Sequence, residues 1–197
     1  MTTAIAAPSL TIPSLNLGTV LLHIVGDSPL IVHAWSEKAK GEMRDKQMGR
    51  AKNKKEPKDP EADYQAAFHR LPDGRPGFPC IGFKAAAVSA ARQVDGLKMT
   101  FLRGAFHIDG ELVPIEGEPR MREDMVRIGM GTADIRYRPE FAEWSAVLPV
   151  KFNRNAITVE QLVHLFSVAG FAVGIGEWRP ERDGPYGRFS VASVAEV

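Results

Sequence analysis

The residues best suited to chemistry lie between Gly170 and Phe189, a segment with five glycines and three arginines. Glycine can adopt a positive φ and lets a backbone approach a ligand, while exposed amides and arginine forks suit phosphate oxygens. Two aromatic side chains of the segment could stack on bases, a contact that tolerates any base sequence. The segment therefore predicts a contact with single-stranded nucleic acid through Gly174, Gly176, Trp178, Arg179, Arg182, Tyr186, Gly187 and Arg188. Because its formal charge is zero, the alternative is a structural turn whose arginines pair with Glu177, Glu181 and Asp183.

Residues 36–60 form a basic segment with few apolar side chains. From Ser36 to Lys58 it carries nine basic and four acidic residues, a formal charge of +5. Too little apolar surface is present to bury a face, so we expect a mobile, exposed insertion. Its lysines would attract phosphates without reading sequence, and a solvated charge run is the alternative. The candidate contacts are Lys52, Lys54 and Lys55.

Residues 117–138 are rich in arginine and contain Gly129 and Gly131, which should interrupt any regular element. We expect a projecting loop or irregular ribbon. Its acidic residues Glu123, Asp124 and Asp134 could hold Mg²⁺, but acids among arginines are usually ion-pair partners, so no metal is predicted. Tyr137 is a second stacking candidate, with strand-edge packing as the alternative. The candidate nucleic-acid contacts are Arg120, Arg122, Arg127, Arg136 and Arg138.

Signals for an enzyme are sparse. His33 and His69 flank the basic segment and could act as acid and base in metal-independent RNA cleavage, although nothing in the sequence brings them together. No phosphate-binding Walker loop, HExxH pair or complete dinucleotide fingerprint is present. The single cysteine, Cys80, excludes an intramolecular disulfide and a cysteine-cluster metal site. We predict a protein without cofactor or catalytic residues, with an RNA endonuclease as the alternative.

Apolar periodicity predicts the elements that would position these residues. Helices are expected at 83–94, ended by Gly96, and after Thr158, ended by Gly170. The spacing of Thr158 to Gln161 is typical of a capping box. A hairpin is expected around Asp109-Gly110, and Pro149 should sit at a strand edge or bulge. Strands are predicted at 17–25, 30–35, 99–113, 144–152 and 189–194, with Trp35 and Trp144 in the core. The order strand, helix, hairpin strands, strand, helix, strand gives an α+β fold with the split β-α-β arrangement of ferredoxin-like and RRM-like domains.

The stretch from about Thr158 to Val194 resembles the RAMP superfamily, which includes the backbone subunits of CRISPR effector complexes. The shared features are a helix, a Gly-x-Gly turn, an Arg-rich glycine loop and a short Gly-Arg-Phe strand. The resemblance implies a ferredoxin-like core and copies that polymerise along a guide RNA. Trp178 and Pro185-Tyr186 depart from the generic loop, and the chain is short for a complete backbone subunit, so a phage-encoded relative is an alternative form. The resemblance places Gly174, Gly176, Arg179, Gly187 and Arg188 in the loop.

Length and composition set the remaining limits. A chain of 197 residues with 44% hydrophobic and 25% charged residues is typical of one globular domain. Its formal charge of +1 does not itself indicate a nucleic-acid partner. No apolar run reaches membrane-spanning length and the N-terminus lacks a signal-peptide pattern, so a cytoplasmic protein with a flexible arm at residues 1–16 is expected. The expected partners are single-stranded nucleic acid, with RNA favoured over DNA, copies of the chain and other subunits of a ribonucleoprotein. The alternative from a third class is a phage-encoded interaction or inhibitor protein that binds no nucleic acid.

Overall fold

The computed structural model describes residues 14–50, 57–128 and 131–197. Five α-helices lie in these ranges: α1 (Glu37–Gln47), α2 (Pro60–Ala66), α3 (Cys80–Ala90), α4 (Met99–Ala105) and α5 (Val159–Ala172). The strands are β1 (Leu17–Gly26), β2 (Leu30–Ile31), β3 (His69–Arg70), β4 (Pro76–Pro79), β5 (Phe106–Ile108), β6 (Leu112–Pro114), β7 (Pro119–Ile128), β8 (Thr132–Phe141), β9 (Ser145–Asn153) and β10 (Phe189–Glu196). None of the helices described is long and apolar enough to cross a membrane.

The central sheet has four antiparallel strands in the order β10-β1-β9-β5. Along the chain its strands and the two packed helices follow as β1, α3, β5, β9, α5 and β10, the split β-α-β order. Alternate residues of β1 and β9 are buried, as expected for a sheet with helices on one face. The predicted ferredoxin-like α+β fold class is confirmed.

Helix α5 is positioned by its first turn and by a glycine. Thr158 and Gln161 form the predicted capping box, each side chain accepting a hydrogen bond from the other residue's backbone amide. The helix continues past Gly170 to Ala172. A Cβ at Gly170 would lie 1.8 Å from the Phe189 carbonyl oxygen, so this glycine lets α5 approach β10 closely. The expectation that the helix ends at Gly170 was wrong by two residues.

The hairpin expected in residues 99–113 was also wrong. Residues 99–105 form α4, which buries Leu102 and Ala105 at helical spacing. Asp109-Gly110 does make a turn, with Gly110 at φ 96°, but it joins strands of different sheets. β5 pairs with β9 in the central sheet, whereas β6 pairs with β4 in the small sheet β3-β4-β6. A strong local turn signal does not say which partners its flanking strands will find.

Residues 117–138 are far more regular than expected. β7 and β8 pair over their whole length, from Pro119 opposite Phe141 to Ile128 opposite Thr132. β2 extends this sheet at the base of the hairpin, in the order β2-β8-β7. Gly131 lies near the tip at φ 150°, so it turns the chain instead of interrupting a strand. The irregular ribbon is corrected to a projecting β-hairpin of two ten-residue strands.

Three further expectations meet different outcomes. Trp144 is in the core at 4% exposure, whereas Trp35 is 54% exposed and was wrongly placed there. The basic segment contains α1, which has no buried residue, in keeping with the expected exposure. Pro149 lies in an inner strand, β9. Its carbonyl oxygen accepts from the Asp109 amide, which lies just past the end of β5. The side of Pro149 that lacks an N–H therefore faces no residue of a strand.

Residues 1–13 of the expected arm, together with Lys52, Lys54 and Lys55, fall outside the described residues.

Candidate nucleic-acid interface

The loop from Val173 to Arg188, here called the glycine loop, is held in place by its own backbone amides. The Ile175 amide donates to the Gly187 carbonyl oxygen at 2.9 Å, and the Glu177 amide donates to that of Ile31 at 2.9 Å. The Gly187 amide donates to the Pro29 carbonyl oxygen at 2.8 Å. The expectation that free amides would cradle phosphate is therefore corrected. Amides that donate within the protein are those of Gly174, Ile175, Glu177, Glu181, Arg182, Asp183, Gly184, Tyr186, Gly187 and Arg188.

The glycines of the loop are required for packing. Gly174, Gly176 and Gly187 have φ values of 67°, 76° and 67°, which favour glycine. A Cβ at Gly187 would lie 1.8 Å from the Ile175 carbonyl oxygen, and one at Gly184 would lie 1.8 Å from that of Trp178. Gly174 and Gly187 are buried, so they do not themselves present backbone to a ligand.

Trp178 is held in a strained backbone and points part of its ring to solvent. Its φ is 56°, in the left-handed region that a bulky residue seldom adopts, and it is 44% exposed. Its carbonyl oxygen accepts from the Tyr186 amide at 3.1 Å, which fixes this geometry. Strained residues that the surroundings hold in place cluster at functional sites.

The arginines of the glycine loop differ in their freedom. Arg179 donates to Glu181 Oε2 from Nη2 at 2.9 Å and to the Gly176 carbonyl oxygen at 3.2 Å. Glu181 also accepts from Ser89 Oγ at 3.0 Å. Burial raises the pKa of Glu181, but the hydrogen bonds from Arg179 and Ser89 outweigh this and hold that pKa below its usual value. Arg182 is exposed, whereas Arg188 is half-buried, with an Nε that has no hydrogen-bond partner in the described ranges.

Most arginines of the β7–β8 hairpin belong to a charge network on one of its faces. Arg120 Nε lies 2.8 Å from Glu140 Oε2, and Arg122 bridges Asp124 and Glu140 at 2.8 and 3.1 Å. On β8, Asp134 is paired with Arg136 at 2.7 Å and with Lys58 at 2.5 Å. Arg127 is on the opposite face, exposed, and has no ion pair within the part of the chain that the structure describes.

Arg138 is buried, which the sequence did not indicate. It is 4% exposed, with Nη1 3.6 Å from Asp124 and 3.9 Å from Glu177. Its Nε and Nη1 have no hydrogen-bond partner among the residues described. Its expected role as a surface contact is therefore corrected, because this guanidinium is covered at the base of the hairpin.

The structure joins the two predicted groups of residues into one surface. The Arg122 guanidinium lies over the Tyr186 ring, 4.9 Å from its centroid, so β7 contacts the glycine loop directly. The ion pair between Arg138 and Glu177 forms a second connection from β8. The base of the hairpin is therefore adjacent to Glu177 and Tyr186, and so to Trp178, which follows Glu177 and accepts from the Tyr186 amide.

A cavity of about 390 Å³ beside the glycine loop brings His33 and His69 together. Burial is the main cause that lowers the pKa of both imidazoles, with further lowering by Arg138 for His33 and by Lys40 for His69. Glu177 and Arg179 line the same cavity. Sequence reasoning missed this site because its residues come from β3, β4, α3, the glycine loop and the segment after β2, and no local pattern links these.

No protein-family model and no curated protein sequence matches this chain. Among solved structures, it is similar to the crystal structure of Cmr6 from Pyrococcus furiosus, with a TM-score of 0.47 and 12% identity over 90% of this chain and 100% of that one. It is also similar to a chain in the cryo-EM structure of the type III-B Cmr-beta complex bound to cognate target RNA. That match has a TM-score of 0.53 and 7% identity, and it covers 92% of this chain and 61% of the other. At these identities the likeness is one of fold.

Proposed function

We propose that this chain is a single-stranded RNA-binding subunit of which several copies assemble along one strand. The observation that carries the proposal is Trp178, an exposed aromatic ring in a strained backbone beside a hairpin rich in arginine. Because its backbone is already held, little backbone entropy would be lost when the ring stacks on a base, and every base offers a π-face. Arg182 and Arg127 are exposed cations that could neutralise phosphates on the same strand.

Two further facts support this function. The glycine loop resembles that of RAMP proteins, and the ferredoxin-like fold is shared with a chain in a complex that was solved with target RNA. Because most of the loop amides already donate within the protein, we expect affinity to come from stacking and arginine side chains. This differs from the amide cradle that the loop sequence suggests.

Stacking is tested by replacing Trp178 with alanine. Loss of one stacked base costs about 1–3 kcal/mol, so Kd for a labelled single-stranded RNA should rise about 5- to 150-fold. The matched control is Trp35→Ala, which removes another exposed tryptophan from outside the glycine loop. Fluorescence anisotropy measures both, and equal Kd values for Trp178→Ala and the wild type would contradict the proposal.

Phosphate contacts are tested through salt dependence. For single strands each neutralised phosphate contributes about 0.7 to the slope of log K against log salt. Arg127→Gln with Arg182→Gln should therefore lower the slope by about 1.4, since two contacts are removed. Arg92→Gln with Arg103→Gln removes the same charge from exposed positions near α3 and α4 and should leave the slope unchanged. A wild type whose affinity for RNA does not depend on salt would contradict the phosphate contacts.

Assembly is supported by apolar residues on the hairpin face opposite the charge network. Met121, Met125 and Ile135 are 40%, 68% and 42% exposed, and Met125 is directly opposite Ile135. Contact between this strip and a second copy would cover it. Light scattering on RNAs of increasing length should show stepwise addition of copies. The double variant Met125→Gln with Ile135→Gln should bind the same RNAs as isolated copies that do not contact one another. A single copy on every length would argue against assembly.

An RNA endonuclease is the second candidate, because His33 and His69 line one cavity. Burial lowers the pKa of both, so both are neutral at neutral pH, where they supply a base but no general acid. For this reason binding without cleavage ranks first. Incubation of end-labelled RNA without divalent ions tests the alternative, and products that disappear in His33→Gln would establish it.

A further inference from the structure

The floor of the cavity beside the glycine loop is apolar. Phe78, Ala86, Val173 and Ile175 line it and are 8%, 3%, 5% and 2% exposed. Gly82 packs closely against Phe78, since a Cβ there would lie 2.6 Å from the phenyl ring. Such a floor suits the flat face of an aromatic ring and does not solvate a phosphate.

The rim of the cavity presents an acceptor that lacks a strong partner. Arg179 and Glu181 are bonded to each other, and Glu181 is also bonded to Ser89, so this wall is fixed. Glu177 is anchored through its amide on the Ile31 carbonyl oxygen. Its carboxylate makes no hydrogen bond among the residues described, and its ion pair with Arg138 is long, at 3.9 Å. A carboxylate only accepts hydrogen bonds and has two oxygens, so it pairs best with two adjacent donors.

Charges of both signs surround the cavity. Glu177, Glu181 and Arg179 line it, and the guanidinium groups of Arg138 and Arg136 act on His33 from beside it. Burial lowers the pKa of His33 and His69, so their imidazoles are neutral at neutral pH and each offers one donor and one acceptor. Lys40 is close enough to His69 to lower its pKa further, which puts a cation near this side of the cavity for a phosphate that remains outside.

We propose that this cavity binds one guanine base, with Glu177 accepting from the base N1–H and exocyclic N2–H and the imidazoles of His33 and His69 completing the rim. Guanine alone among the four RNA bases has two adjacent donors on its Watson–Crick edge. Uracil has one, and adenine and cytosine pair a donor with an acceptor. The inference rests on the proposed function, because a bound strand would deliver the base by extruding it. A free guanine nucleotide has the same chemistry.

The test compares twelve-nucleotide RNAs that are all uridine or carry one central guanosine, adenosine or inosine. The guanosine should tighten Kd about 5- to 150-fold relative to uridine, as one good bidentate contact does. Inosine lacks the N2 amino group and should give a smaller gain. Glu177→Gln should remove the guanosine gain, so that the guanosine and uridine strands bind with equal Kd, and the control Glu143→Gln, an exposed carboxylate outside the cavity, should keep it.

Titration calorimetry with guanosine monophosphate separates the two sources. If the monophosphate gives binding heat with the wild type and none with Glu177→Gln, the cavity takes the free nucleotide. If the guanosine strand binds and the monophosphate does not, the strand delivers the base. An equal gain from adenosine, or a guanosine preference that survives in Glu177→Gln, overturns the guanine site while the RNA-binding function stands. If no RNA binds, that function fails, and the monophosphate titration alone then supports or overturns the cavity.

Discussion

Three glycine-to-alanine substitutions separate backbone strain from steric contact in this fold. Gly104 lies in α4 and Gly96 follows α3 at φ 79°, and a Cβ at either would meet no atom within 4 Å. Gly187 has φ 67° and a Cβ there would lie 1.8 Å from the Ile175 carbonyl oxygen. The same chemical change therefore introduces neither strain nor collision at Gly104, backbone strain alone at Gly96, and strain with a backbone collision at Gly187.

The expected changes in the free energy of unfolding differ in sign and size. Gly104→Ala should stabilise by about 0.5–1 kcal/mol, because alanine favours helix. Gly96→Ala should cost about 1–2 kcal/mol for its left-handed backbone. Gly187→Ala adds the displacement of two buried hydrogen bonds, to Ile175 and Pro29, at about 1–3 kcal/mol each, for a total of about 3–8 kcal/mol.

Urea unfolding followed by circular dichroism measures all three. A loss of about 3–8 kcal/mol approaches the whole stability of a domain, so Gly187→Ala should be largely unfolded or have a greatly lowered urea midpoint. A Gly187→Ala protein within 1 kcal/mol of Gly96→Ala would refute the view that the glycine loop is packed against its own backbone.

Three further predictions concern buried polar groups. Arg138→Met should lower the free energy of unfolding in urea by less than about 2 kcal/mol, because Asp124 keeps its bond to Arg122 and Glu177 is partly in water. A loss above about 3 kcal/mol would mean that one of these carboxylates is left buried without a partner. Because burial lowers the pKa of His33 below 6.5, the unfolded chain takes up the proton first as the pH falls. The melting temperature should therefore drop below about pH 6.5, and less so in His33→Gln; equal curves would contradict this. Trp144→Phe should cost about 2–4 kcal/mol, since the indole donates to the Ser28 carbonyl oxygen at 2.9 Å inside the core, and a smaller loss in urea unfolding would show that another donor replaces it.

The central elements could be predicted because their signals are local. Alternation in β9 and the Thr158 capping box depend on neighbours in sequence, and both were recognised. The order of the strands followed from the topology that these elements allow. Which strands pair with each other is not determined by the local sequence. For this reason the residues around Asp109-Gly110 were assigned to one hairpin, although they belong to two sheets.

The candidate site was recognised as a region but not in its details. Arg122 joins its face of the hairpin to the glycine loop through Tyr186, whereas Arg127 lies on the opposite face of the hairpin. Whether an arginine is exposed depends on what packs over it, and Arg138 is covered only because the hairpin base meets Glu177. The bonding of the loop amides likewise requires β2 and the turn at Pro29, about 145 residues earlier in the chain.

The way the hairpin is attached sets the mechanics of its tip. Each ten-residue strand is about 33 Å long, and β2 pairs only with Glu140 and Phe141 at its lower end. Lys58 also pairs with Asp134 near the tip, and α2 packs against β8, so the hairpin is braced along its length. If these contacts were released, a rotation of about 10° about the base would move the tip by about 6 Å, given that length. The contacts of Arg122 with Tyr186 and of Arg138 with Glu177 lie near the base, so a ligand that rearranges the glycine loop would move the tip only together with the release of these braces.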